Sequence, residues 1–248
     1  MSKTKNTKGY KVFFDREKFK NSFPFSYNFM HIDGCQMHYI DEGNGENILM
    51  VHGNPTWSFY YRNLISYFSK KYRVVVPDHI GYGLSEKPKN YKYTLDQHVK
   101  NLEKFVEVLN LKNITLVMHD WGGPIGMGFA VRNSNKIKRL VFFNTGAFRI
   151  PEEIQKHKPW QLMIIRIPLL GNMLVRVFNA FSIFAIIWAI CRKERRTAET
   201  KAGLKAPYTN YSNRVTVLRA VQDIQLSEKD PVHKKKKKKK KKLNLFEN

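Results

Sequence analysis

The stretch Ile114-Thr-Leu-Val-Met-His-Asp-Trp-Gly-Gly-Pro-Ile-Gly-Met127 restricts the fold more than any other part of the chain. Ile114 to Met118 is a short apolar run, the pattern of a strand buried on both faces. Gly122, Gly123 and Gly126 follow, and from Met127 the apolar spacing turns helical with Phe129 and Ala130. Asp120 stands where the strand gives way to the helix. Glycines there permit a tight turn and let the helix lie close to the sheet. The helix N-terminus would put free N–H groups and the positive end of its dipole beside Asp120. Such a strand–turn–helix aims the side chain at its apex into a cavity above the sheet. A carboxylate in that place can displace a leaving group from carbon and form an ester that water then cleaves. Taken alone, the string favours an Asp that merely caps the helix; the motifs elsewhere in the chain reverse that preference.

Other segments supply the rest of a layered α/β domain. Tyr27 to Ile32 and Gln36 to Ile40 alternate apolar and polar residues around Asp33-Gly34, a hairpin turn signal. Asn47 to Val51 predicts a strand that runs into His52-Gly-Asn-Pro-Thr-Trp-Ser-Phe-Tyr-Tyr-Arg62, followed by a helix ending near Lys70. Arg73 to Val76 predicts the next strand, and Thr94 caps a helix through Leu109 with apolar residues at 95, 99, 102, 105, 106 and 109. The elbow helix is expected to reach about Arg132, and Leu140 to Phe143 is another strand. Strands alternating with helices imply βαβ units and a mainly parallel sheet. The expected organisation is a mobile N-terminal arm over 1–22, a core over 23–150, a helical lid over 151–230 and a polylysine tail over 231–248. Met173 to Cys191 is nearly all apolar with Arg176 its one charge. Its length approaches a membrane span, and a lid helix is the favoured reading. Phe178, Phe181, Phe184 and Trp188 would then partly line an apolar substrate tunnel, with ordinary core packing an equal alternative.

Charge says less than it first suggests. Lys234 to Lys242 is an unbroken run of nine lysines, and removing it from the net +24 leaves +15. A basic surface favours peripheral contact with an anionic membrane, or with nucleic acid, without specifying either. No zinc-ligand spacing, RNP motif or basic–aromatic stripe supports a specific nucleic-acid module. Cys35 and Cys191 form no disulfide framework, and Met1 to Lys11 lacks the apolar core of a signal peptide. A reducing, cytoplasmic location is expected, with no metal and no cofactor.

Four segments carry a family likeness. His52-Gly-Asn-Pro-Thr-Trp-Ser-Phe, Asp78-His-Ile-Gly-Tyr-Gly-Leu-Ser-Glu-Lys-Pro and His119-Asp-Trp-Gly-Gly together resemble the haloalkane dehalogenases of the α/β-hydrolase superfamily, and Asn213 to Pro231 resembles the end of their lid. The resemblance spans about residues 25 to 231. It implies the α/β-hydrolase fold, Asp120 as the nucleophile toward a small apolar substrate, and a halide clamp of the Trp121 indole N–H and the Asn54 side-chain amide. The backbone N–H groups of the same two residues would form the oxyanion hole. His52 is expected to brace its loop and Asp78 to hold the turn before Gly81 and Gly83. The β-lactone decarboxylases of long-chain olefin synthesis share this pattern, including Asn144 where another dehalogenase branch carries Glu. Epoxide hydrolases share part of it, with Tyr208 and Tyr211 as candidate proton donors and Asn54 arguing against them.

The same family order places two further strands and a catalytic His after the lid. Here Pro231-Val-His233 leads into the lysine run, and His233 matches the base poorly. The chain is therefore expected to lack its last strands and its catalytic acid and base. An oligo-A slip in an AT-rich gene is the expected cause; a genuine polybasic tail on an inactive, surface-binding remnant is the alternative. Losing those strands should expose a long apolar edge.

Overall fold

Asp33 and Gly34 adopt left-handed backbone (φ 50° and 77°) and close a hairpin between β1 (Asn28–Ile32) and β2 (Cys35–Glu42) in the computed structural model, which describes residues 14–146 and 160–223. The strands β3 (Asn47–Val51), β4 (Arg73–Pro77), β5 (Ile114–His119) and β6 (Ile137–Phe143) complete a six-stranded sheet in the order β1-β2-β4-β3-β5-β6. β2 pairs with β1 and β4 antiparallel, and the other three pairings are parallel. Between the parallel strands lie α2 (Arg62–Phe68), α3 (Leu95–Val108) and α4 (Gly122–Arg132). Thr94 caps α3 by accepting the Gln97 N–H, as its sequence predicts.

The central strands are apolar throughout because both faces are covered. Leu49, Val51, Val75, Leu116 and Met118 join α3 and α4 in one core, while Ile48, Met50, Val74, Val76 and Val117 join α2 and an aromatic group in the other. The alternation has the period of two that pleating imposes. Each fully buried Val, Leu or Ile contributes on the order of 1.5–3 kcal/mol.

The expected N-terminal arm over 1–22 needs correction within its described part. Asp15 caps a short helix α1 (Arg16–Phe19), and Phe14, Phe19 and Phe23 pack with Trp57 and Phe59. Burying Phe19 and Phe23, with Phe14 partly buried against them, ties this segment down; residues 1–13 lie outside the described ones.

Within the lid, the described helices are α5 (Trp160–Arg166), α6 (Pro168–Gly171) continuing as a wider π turn over Asn172–Val177, α7 (Ala180–Ala189), α8 (Ala198–Lys205) and α9 (Val215–Asp223). The apolar stretch Met173 to Cys191 is not one helix: Asn179 takes a left-handed conformation (φ 53°) and breaks it. Among the described residues no single helix is long and apolar enough to cross a membrane, although Trp160–Arg166 and Pro168–Val177 together reach that length and hydropathy across a 99° bend. α8 anchors the lid to the core, where the Trp57 indole donates to the Gly203 carbonyl at 3.0 Å and Gly203 leaves no room for a Cβ against the Phe59 ring. The tail over 231–248, residues 147–150 of the core, and the parts of the lid over 151–159 and 224–230 lie outside the described residues. β6 pairs with β5 alone among the described strands, and Leu140, Phe142 and Phe143 remain exposed on it.

Two loops at the strand ends are stitched by buried polar groups. Asp78 accepts the Ser58 N–H (2.7 Å), the Leu84 N–H (2.9 Å) and His38 Nδ1 (2.7 Å). Burial alone would raise its pKa, but His38, His52 and the Leu84 N–H hold it down to about 2. Gly83 sits at φ 48° directly over that carboxylate, so only glycine fits. His52 Nδ1 donates to the Gly53 carbonyl (2.9 Å) and Nε2 accepts the His79 N–H (3.1 Å), which fixes one neutral tautomer. Burial lowers the pKa of His52, His79 and His98, the last to about 3. Lys87, also buried, donates to the Gly83 and Ser85 carbonyls.

Asp78→Asn is expected to destabilise the fold by about 3–5 kcal/mol, because His38 and two N–H groups lose a buried charged acceptor; denaturant unfolding measures this. The three neutral histidines also set an acid limit. Their folded pKa values lie below the unfolded value of about 6.5, so the stability they contribute is full above that pH and lost as pH falls toward 3. The melting temperature should fall between pH 7 and pH 5, and less steeply in a His98→Leu variant.

Candidate active site

Asp120 follows directly on β5 with a left-handed backbone (φ 50°), and Gly122 opens α4 two residues later. A non-glycine residue in that conformation is strained and requires surroundings that over-determine it. Those surroundings are visible. A Cβ on Gly122 would meet the Val51 carbonyl oxygen at 2.2 Å, and one on Gly53 would meet the Asp120 side chain at 2.4 Å. Thr145 donates its hydroxyl to the Asp120 carbonyl oxygen and fills the space beside Gly123. Loops from β3 and β6 thus close on the turn from two sides.

The Asn54 N–H donates to Asp120 Oδ1 at 2.7 Å, and the carboxylate is otherwise open to solvent. This arrangement fixes one oxygen and leaves the other side of the group available for chemistry. Asn54 also joins core to lid, since its side-chain amide donates to the Val217 carbonyl in α9 at 3.2 Å. Trp121 is half-buried against both the sheet core and the lid core, and its indole N–H is buried with no partner among the described residues. An unpaired buried donor costs on the order of 1–3 kcal/mol, which an anionic ligand placed there would recover. The three residues singled out from the sequence, Asp120, Asn54 and Trp121, are therefore brought together.

The expected tunnel residues are not brought together. Phe181 packs against the lid core of Tyr82, Ile165, Val175, Tyr208, Val217 and Leu218, beside Trp121. Phe178 and Phe184 lie on the surface at 60% and 47% exposure, on either side of the break at Asn179. They do not line an internal passage. The Trp188 side chain lies outside the described ones. The tyrosine candidates are also occupied elsewhere: the Tyr208 hydroxyl donates to the Thr56 carbonyl, and Tyr211 is exposed beneath the Arg176 guanidinium.

Three neighbours escaped the sequence reading. His119 stacks on Tyr60 (4.4 Å between ring centres), and burial lowers the His119 pKa while the Asp120 charge opposes that. Tyr60 is raised, by burial and then by the Asp120 charge. Tyr82 is fully buried within the lid core against which Trp121 packs. Tyr60 is five positions past the His-Gly-Asn-Pro loop and carried no periodic signal. No imidazole bonds to the Asp120 carboxylate among the described residues, and His233 lies outside them. Nor do the described His, Cys, Asp and Glu residues form a group able to hold a metal ion. A shallow surface cleft lined by Arg16, Glu17, Lys20, Phe23, Pro24 and Tyr27 does not include Asp120.

Comparison with known proteins agrees with this geometry. The family described as "alpha/beta hydrolase fold" matches residues 46–178. A cis-3-alkyl-4-alkyloxetan-2-one decarboxylase from Shewanella oneidensis is 49% identical over 210 residues, which is 84% of this chain and 65% of that protein. The chain therefore spans a little under two thirds of the length of that relative. Haloalkane dehalogenase 2 of Mycobacterium tuberculosis is 41% identical over 123 residues, 50% of this chain and 43% of that one. Among solved structures, the haloalkane dehalogenase DatA from Agrobacterium tumefaciens superposes with a TM-score of 0.71 at 24% identity, covering 84% of this chain and 71% of that one, a likeness of fold. The elbow, the mainly parallel sheet and the family match agree: the chain belongs to the α/β-hydrolase fold family.

Proposed function

We propose that Asp120 attacks carbon in a small apolar substrate and forms an aspartyl ester, and that the substrate is a cis-3,4-dialkyl β-lactone. One observation carries the choice of substrate. The likeness to the decarboxylase runs over 210 residues, more than the whole chain outside residues 151–230, so it extends into the lid. The lid shapes the substrate chamber, whereas the likeness to the dehalogenase covers half the chain.

The chemistry follows from the groups at the site. A carboxylate oxygen of Asp120 bonds to C4 of the four-membered ring, the C4–O1 bond breaks, and the ring carbonyl becomes a free carboxylate. That carboxylate meets the Trp121 indole N–H and the Asn54 amide. Its bond to C3 then breaks, the electron pair forms the C3–C4 double bond, and the ester bond to Asp120 releases. The products are CO2, an alkene and the original carboxylate. Backside attack at C4 followed by anti loss of CO2 converts a cis lactone into a cis alkene. No water is consumed, so this route needs no general base.

Haloalkane dehalogenation is the second reading, favoured by the unpaired Trp121 indole N–H, a suitable donor to a departing halide. There Asp120 displaces halide and water must cleave the ester, a step that requires a base. Without one near Asp120 the alkyl ester would persist.

The two readings separate on the bench. Incubation with a cis-β-lactone should yield the cis alkene by gas chromatography, and Asp120→Asn should lower the rate by at least ~10³-fold. Undiminished conversion in that variant rules the aspartyl ester out. Incubation with a 1-bromoalkane should release one halide per chain and leave a covalent mass gain. Trp121→Phe should slow that alkylation by about 10²-fold with little change in melting temperature.

A further inference from the structure

The lid helices carry two apolar stripes, one of them inward. Ile165, Val175, Ser182 and Ile186 are buried, and both α5 and the π turn pack against α9. The opposite stripe holds Trp160 (66% exposed), Leu169 (84%), Met173, Val177, Ile183 and Ile187. Spacings of four keep Leu169, Met173 and Val177 on one side of their helical segment, and Ile183 with Ile187 on one side of α7. Single exposed apolar residues are ordinary, but a stripe continued across consecutive helices marks an interaction surface.

Charge identifies what meets it. Residues 160–223 hold ten Lys and Arg against three Asp and Glu. The segment Arg192-Lys-Glu-Arg-Arg196 follows α7 directly, with Arg192, Lys193 and Arg195 exposed. A second copy of the chain on this stripe would set cations against cations, whereas an anionic lipid surface offers an apolar layer beneath a phosphate layer. The 99° bend between Trp160–Arg166 and Pro168–Val177 prevents a straight crossing and suits helices lying flat at an interface.

We propose that the outer lid stripe docks the protein onto an anionic bilayer, with the apolar residues entering the headgroup boundary and the Arg192–Arg196 cations meeting lipid phosphate. The inference is independent of the Asp120 chemistry, and its test uses no substrate. The whole chain should float with vesicles of phosphatidylcholine and phosphatidylglycerol, at least ~10-fold more tightly than with pure phosphatidylcholine, and lose binding in high salt. Leu169→Glu with Ile187→Glu should weaken binding by about 10-fold or more, and deletion of Lys234 to Lys242 should leave a stripe-dependent component. Brominated acyl chains should quench the fluorescence of Trp160, and that portion of quenching should vanish in Trp160→Phe. The quenching decides the matter if the double variant unfolds by circular dichroism. Failure to float, flotation unchanged by the folded double variant, or flotation abolished by removing the lysine run alone overturns the proposal. So does a double variant that alters self-association in sedimentation while leaving vesicle binding intact.

Discussion

The structure depends on one close approach between backbones. Gly122, at the start of α4, lies so near the Val51 carbonyl that the smallest side chain would collide with it. That contact brings the end of β3 against the turn after β5, places Gly53 under the Asp120 side chain, and lets the Asn54 N–H reach the carboxylate. The order β3-β5 in the middle of a parallel sheet makes the approach available, and the glycines make it sterically allowed. The Asp120 carboxylate is held by neighbours in space and owes little to its own conformational preference.

Histidine is used here mainly as a structural element. His52 stitches one loop to the next through both ring nitrogens, His38 pairs with the buried Asp78, and His79 and His98 sit in the same buried group. None of these imidazoles is bonded to Asp120. A carboxylate without a base can still make an ester, and whether the ester can leave depends on the substrate. A β-lactone carries its own means of release, since the carboxylate freed by ring opening departs as CO2; an alkyl halide does not.

Much of the core was legible in the sequence because its signals are local. The Asp33-Gly34 hairpin, the Thr94 cap, the apolar runs at Asn47–Val51 and Ile114–Met118 and the glycines after Asp120 each depend on a few neighbouring residues. Legibility failed where the outcome depended on distant contacts. Residues 14–22 look polar and free, yet Phe19 is fixed by Phe59 across the fold. Met173 to Cys191 reads as one greasy helix, yet Asn179 breaks it, and hydropathy alone could not tell an inward from an outward phenylalanine. Tyr60 and Tyr82 reach the site from loops whose course is set by the Asp78 hydrogen bonds, which have no periodicity to detect.

The bond from the Asn54 amide to the Val217 carbonyl is one of several polar ties between core and lid, beside the Trp57 indole on the Gly203 carbonyl and the Tyr208 hydroxyl on the Thr56 carbonyl. Asn54 bonds Asp120 through its backbone N–H and a lid backbone atom through its side-chain amide. The rotamer of the Asn54 side chain is thus held by a backbone atom of α9, while its own N–H is held by Asp120 in the core. A substitution that shifts α9 would therefore be felt at Asp120 through Asn54, although among the described residues α9 itself carries no bond to that carboxylate.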